Sequence, residues 1–244
     1  MEIRERFFFL EQEPCVIHLP EKPNGFGVLI LGDYNHFVES GTSLWMQHVG
    51  KAHLLEELRN EGYTVFTSNL YGRHWGNDKA VRLAKRLYHV VMKKEILNER
   101  IHIIAEGMGA LVALDMMATM PESIRSAVML HPCLDLPRHL ELEREHKFFY
   151  KRLLRELMAA YEVSEEDLPA MIRSKTFRGF SSHIPIRMFV PTSERKERKI
   201  IVREYEQLQF QSGSPISLSF HVQDAKYKVV RPILQAFHTH EADL

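Results

Sequence analysis

A chain of 244 residues, 45% hydrophobic and 26% charged, is long enough to bury a full core and fits one α/β domain with room for an inserted segment. Lysine plus arginine (32) balance aspartate plus glutamate (32), so no net charge favours a nucleic-acid or anionic-membrane partner, while a neutral balance is compatible with a homo-oligomer. Two cysteines, Cys15 and Cys133, exclude a disulfide framework, lack metal-ligand spacing and predict a reducing, cytoplasmic setting.

The first ten residues carry charge and then an apolar run too short for a signal sequence, and no run elsewhere is long enough to span a bilayer. Residues 4–11 and 15–19 read as a pair of hairpin strands. Residues 27–31, all apolar apart from a leading glycine, read as a strand buried on both faces, ending in the loop Gly32-Asp33-Tyr34-Asn35-His36. Helical periodicity over 49–60 stops at Gly62, and a β-rich run over 63–68 leads into a loop holding His74 and Trp75. Asp78 is expected to cap a helix that runs to about Lys94, with Val81, Leu87 and Val91 on its apolar side.

The most informative stretch comes next. Ile101-His102-Ile103-Ile104-Ala105 is a buried strand, Glu106-Gly107-Met108-Gly109 a very tight turn, and Ala110 onward a helix closed by Pro121. A strand that reverses directly into a helix forces unfavourable φ/ψ on its apex and needs small neighbours, because the two backbones approach closely. Gly107 and Gly109, flanked by Ala105 and Ala110, meet both demands.

A strand over 126–130 breaks at His131-Pro132. Residues 134–180 then change to charged, helical segments, including one helix over 140–160 and a helix start at Ser164-Glu165-Glu166-Asp167. This is the candidate helical cap, inserted in a single domain over 1–244. The α/β rhythm resumes with a strand over 186–190, a helix over 197–208, a strand over 216–222 and a last helix over 227–238. Such alternation specifies a mostly parallel sheet with helices on both faces.

The turn resembles the G-x-S-x-G nucleophile elbow of the alpha/beta-hydrolase family, written here Ala105-Glu106-Gly107-Met108-Gly109, and the order of elements resembles that family over nearly the whole chain. The resemblance implies an alpha/beta-hydrolase-like sheet flanked by helices, and it also implies a degenerate triad. Gly107 stands at the nucleophile position without a hydroxyl. Glu194 falls at the carboxylate position after the seventh strand, and Lys226 or a neighbour falls where the base is usual. A lysine near its ordinary pKa of about 10.4 is protonated at neutral pH and takes no proton from a serine. His221 lies inside a strand pattern and His238 late in a helix, so neither replaces the missing imidazole.

The oxyanion corner survives by resemblance, as the backbone N–H groups of Met108 and Asp33. An inward Asp33 carboxylate would argue against an anion there; the commoner fate, pointing to solvent or capping a turn, is expected. His36, His74 and His131 fall at or near carboxyl ends of strands, where open α/β sheets bind ligands, with Trp75 and Cys133 close in sequence. Cys133 paired with one of these imidazoles is the best route to a displaced active site, set against the plain reading of a small core cysteine. His238-Thr239-His240 has no third ligand, so no metal is expected, and the third position of a dinucleotide G-x-G-x-x-G is Val112, so no nucleotide cofactor is expected. The reading that results is a non-catalytic small-molecule-binding or regulatory module; the alternative is a hydrolase of a small ester or acyl substrate acting through displaced groups.

Overall fold

The computed structural model describes residues 4–177, 182–222 and 229–241. A hairpin of β1 (Glu5–Leu10) and β2 (Glu13–His18) opens the chain. β3 (Gly27–Leu31) follows, buried along its length, and then a short ribbon of β4 (Val38–Glu39) and β5 (Thr42–Ser43). Helices α1 (Leu44–Gln47) and α2 (Val49–Asn60) lead to β6 (Thr64–Ser68), α3 (Asp78–Lys94) and β7 (Ile101–Glu106). After α4 (Gly109–Thr119) and β8 (Ile124–Leu130) come three consecutive helices, α5 (Leu136–Glu143), α6 (Lys147–Tyr161) and α7 (Leu168–Ile172). The chain closes with β9 (Ile186–Pro191), α8 (Lys196–Gln211), β10 (Ile216–His221) and α9 (Val230–His238).

The main sheet has eight strands in the order β1-β2-β6-β3-β7-β8-β9-β10. The two pairings made by β2 are antiparallel and the others are parallel. Strand alternation feeds two cores. On one face Leu29, Ile103 and Ala105 pack under α3, α4 and α8; on the other Val28, Ile30 and Ile104 pack under α2 and α9. A third cluster joins Met108 and Leu111 after β7 to Leu140 of α5 and Leu153 and Leu157 of α6. That third core fixes those helices over the carboxyl end of the sheet, which is where the candidate site lies.

Two local expectations are corrected. The side chain that caps α3 is Asn77, which accepts from Ala80 N at 2.8 Å, with Asp78 already inside the first turn. The predicted single helix over 140–160 is two, interrupted at residues 144–146. Leu140 at the end of α5 and Leu153 and Leu157 on α6 reach the same core, and the break between the helices lets both apolar stripes do so. Among the described residues no helix is long and apolar enough to cross a membrane.

Candidate active site

β7 turns into α4 through Gly107, whose φ of +51° lies in the left-handed region where a Cβ is costly. Both of its backbone polar groups are engaged: its N–H donates to Leu130 O at 3.0 Å and its carbonyl accepts from Cys133 N at 2.9 Å. Gly109 opens α4 against the end of β3, where a Cβ would lie 2.2 Å from Leu31 O. Both glycines are therefore required by this turn, one by conformation and one by close approach.

The loop after β3 delivers a second group to the same place. Asp33 Oδ1 accepts from Met108 N at 3.1 Å, and the carboxylate also accepts from the Tyr34 backbone. A Cβ built on Gly107 would fall 2.1 Å from both Cγ and Oδ1 of Asp33. The space that a side chain at position 107 would take is thus filled by an internal carboxylate, which also takes the Met108 N–H. The carboxylate therefore points inward, against the expectation that it points to solvent or caps a turn of its own loop. Burial pushes the Asp33 pKa above its ordinary value, and the two backbone bonds and Lys51 offset only part of that.

The physical reason is the way the loop is pinned. His36 folds its ring back over Gly32, with Nε2 3.1 Å from both Ser68 O and Thr67 Oγ1. His74 accepts from Gly76 N at 3.1 Å through Nδ1 and bonds the Gly32 backbone. Burial pushes the two imidazoles down to about 4 and about 3, so both are neutral structural groups at ordinary pH. Neither lines the cavity beside the elbow, whereas both hold the Gly32 turn that aims Asp33.

That cavity, about 490 Å³, is lined by Gly107 and Met108 and, from the helices between β8 and β9, by His139 and Leu142 of α5. Trp75 lines it and bolts those helices down: its Nε1 donates to Glu156 Oε2 at 3.2 Å and its carbonyl accepts from Tyr161 OH at 2.7 Å. Cys133 lines it too, but burial pushes its thiol up to about 12, so it is a protonated thiol at neutral pH. Glu194 reaches the cavity, accepts from Arg195 N at 3.0 Å and lies 3.9 Å from Arg198 Nη1. Lys226 lies outside the described residues. Sequence reasoning set His221 aside as a strand residue. It is in fact the last residue of β10, and its ring lines the cavity 5.6 Å from that of His131, edge to face. The His-Pro that ends β8 was the available signal for this pair.

Sequence also gave no sign of the ion pair between Lys51 on α2 and Glu106 at the end of β7. Lys51 further sits 5.2 Å from the centre of the Trp45 ring. Chemically the arrangement offers carboxylates, imidazoles and aromatic walls, but no side chain at the apex of the turn, Gly107. Among the described residues no group of three or more histidines, cysteines, aspartates or glutamates is arranged to hold a metal ion.

Comparison with solved structures gives the same architecture. A Mycobacterium tuberculosis puromycin-hydrolyzing peptidase superposes on 98% of this chain with a TM-score of 0.70 at 13% identity; this chain spans only 39% of that peptidase. A rice cell wall degrading esterase from Xanthomonas oryzae matches over 94% of this chain and 87% of its own, with a TM-score of 0.69 at 9% identity. An alpha/beta hydrolase from a lagoon-sediment metagenome matches over 96% of both chains with a TM-score of 0.58 at 14% identity. No protein-family model and no curated protein matches the chain in sequence. The chain has the alpha/beta-hydrolase fold.

Proposed function

We propose that this chain is a non-catalytic alpha/beta-hydrolase-fold protein, a small-molecule-binding or regulatory module that uses the cavity between the sheet edge and a helical cap. The carrying observation is the Asp33 carboxylate, which occupies the space of a Gly107 side chain and accepts the Met108 N–H. Acyl transfer on this scaffold needs an attacking atom at the elbow and free donors for the oxyanion. Here the first is missing and one of the second is satisfied internally by a group of the wrong charge. A cavity of about 490 Å³ with apolar walls and a few convergent polar groups retains the size and character of a ligand site.

One observation favours a second reading, a hydrolase with displaced groups: the imidazoles of His131 and His221 and the Cys133 thiol line the same cavity. The neighbours that hydrolyse esters and peptides are consistent with either reading. The two separate in one experiment, in which the purified chain is offered a panel of short nitrophenyl esters and then a fluorophosphonate and iodoacetamide. The non-catalytic reading predicts no turnover and no label on a cavity residue. Turnover accompanied by label on such a residue refutes it.

A further inference from the structure

The Asp33 carboxylate that fills the space beside Gly107 also changes what the cavity can hold. A donor pair at a helix start attracts an oxyanion or carboxylate. With Asp33 on the Met108 N–H, the group presented at that point is negative instead. Glu106 is paired with Lys51, Glu194 lies 3.9 Å from Arg198 Nη1 and Arg198 lies 3.0 Å from Glu143. Asp135, like Asp33, is held by neutral donors, but it is buried as the cap of α5, bonded to Arg138 N and Thr176 Oγ1, whereas Asp33 is only half-buried. Among the described residues the hydrogen-bond donors on Asp33 are neutral backbone amides, and no cation is bonded to it.

A half-buried carboxylate held only by neutral donors is electrostatically undersatisfied, consistent with burial raising its pKa. The same cavity is lined by apolar and aromatic side chains, Trp45, Leu54, Trp75, Ile201 and Val230 among them, together with charged and imidazole groups. The Lys51 ammonium lies 5.2 Å from the centre of the Trp45 ring, so an aromatic face here accepts positive charge.

Building on the non-catalytic reading, we propose that the cavity binds small molecules carrying an ammonium group on an apolar body, with the ammonium seated on Asp33 at the elbow. An anionic ligand of the same shape is disfavoured, since it would meet the Asp33 carboxylate at the elbow. Selectivity for ammonium over carboxylate is a property of residue 33, whereas the lack of turnover is a property of residue 107, so the two ideas fail separately.

The test uses isothermal calorimetry and thermal shift on the full chain with matched probes: benzylammonium, benzyl alcohol and phenylacetate, then cyclohexylammonium and cyclohexanecarboxylate. The ammonium member of each set should bind more tightly than the neutral and anionic members. Asp33→Asn should weaken ammonium binding by about tenfold or more, as loss of a charge-assisted bond requires, and leave the neutral alcohol unchanged. Should Asp33→Asn fold poorly, the probe ranking in the unaltered chain decides alone. Carboxylates binding as tightly as ammonium probes, ammonium binding indifferent to Asp33→Asn, or no ammonium binding at all overturns the proposal. None of these results bears on the ester and fluorophosphonate outcome.

Discussion

Placing serine at position 107 is the sharpest perturbation the elbow allows. A Cβ at φ +51° costs about 1–2 kcal/mol of backbone strain. It would also stand 2.1 Å from the Asp33 carboxylate, which must swing out and give up the Met108 N–H. Losing that charge-assisted bond, partly offset by rehydration of the carboxylate, adds about 1 kcal/mol. Gly107→Ser should therefore destabilise by about 2–3 kcal/mol, a fall in melting temperature of about 4–12 °C for a domain of this size. In an Asp33→Ala background the clash is gone and the serine costs only the strain, so the two positions are coupled by about 1 kcal/mol. Urea denaturation of the two single variants and the double variant measures this. A serine that costs nothing, or the same amount with aspartate and with alanine at position 33, would refute the reasoning.

Two further outcomes follow from the same geometry. Asp33 has a raised folded-state pKa, so its contribution runs opposite to that of an ordinary paired carboxylate. The penalty is absent below the unfolded value of about 3.9, grows as pH rises and is complete above the folded value. Asp33→Asn should consequently raise the melting temperature at neutral pH, with the advantage vanishing in strong acid; a difference independent of pH would contradict this. Burial holds the Cys15 thiol up at about 11 and Cys133 at about 12, so native protein near neutral pH should resist iodoacetamide on both and react only on unfolding, as mass spectrometry would read. Rapid native labelling of Cys133 would revive a thiol nucleophile.

What could be read from the sequence was whatever local pattern determines. The fully apolar β3, the amphipathic α3 and the Gly107-x-Gly109 turn each depend on neighbours within a few residues, and each lies where its spacing predicts. The α3 cap shifted by one residue because Asn77 and Asp78 are both competent caps and only the backbone decides between them. The Asp33 orientation was not legible at all. It depends on His36 and His74 anchoring Gly32, the first through Ser68 and Thr67 of β6 and the second through the Gly32 backbone, long-range contacts that no periodicity encodes. His221 was missed because strand patterning says nothing of which end faces a cavity, and Lys51 because its partner Glu106 lies 55 residues away.

The central claim, that an internal carboxylate occupies the elbow, is tested most directly by following the Met108 backbone amide in a proton–nitrogen correlation spectrum through an acid titration. With Asp33 bonded to it, that amide should move with a single midpoint above about 3.9 and lose the transition in Asp33→Ala. A Met108 resonance indifferent both to acid and to Asp33→Ala would mean that the seat is empty.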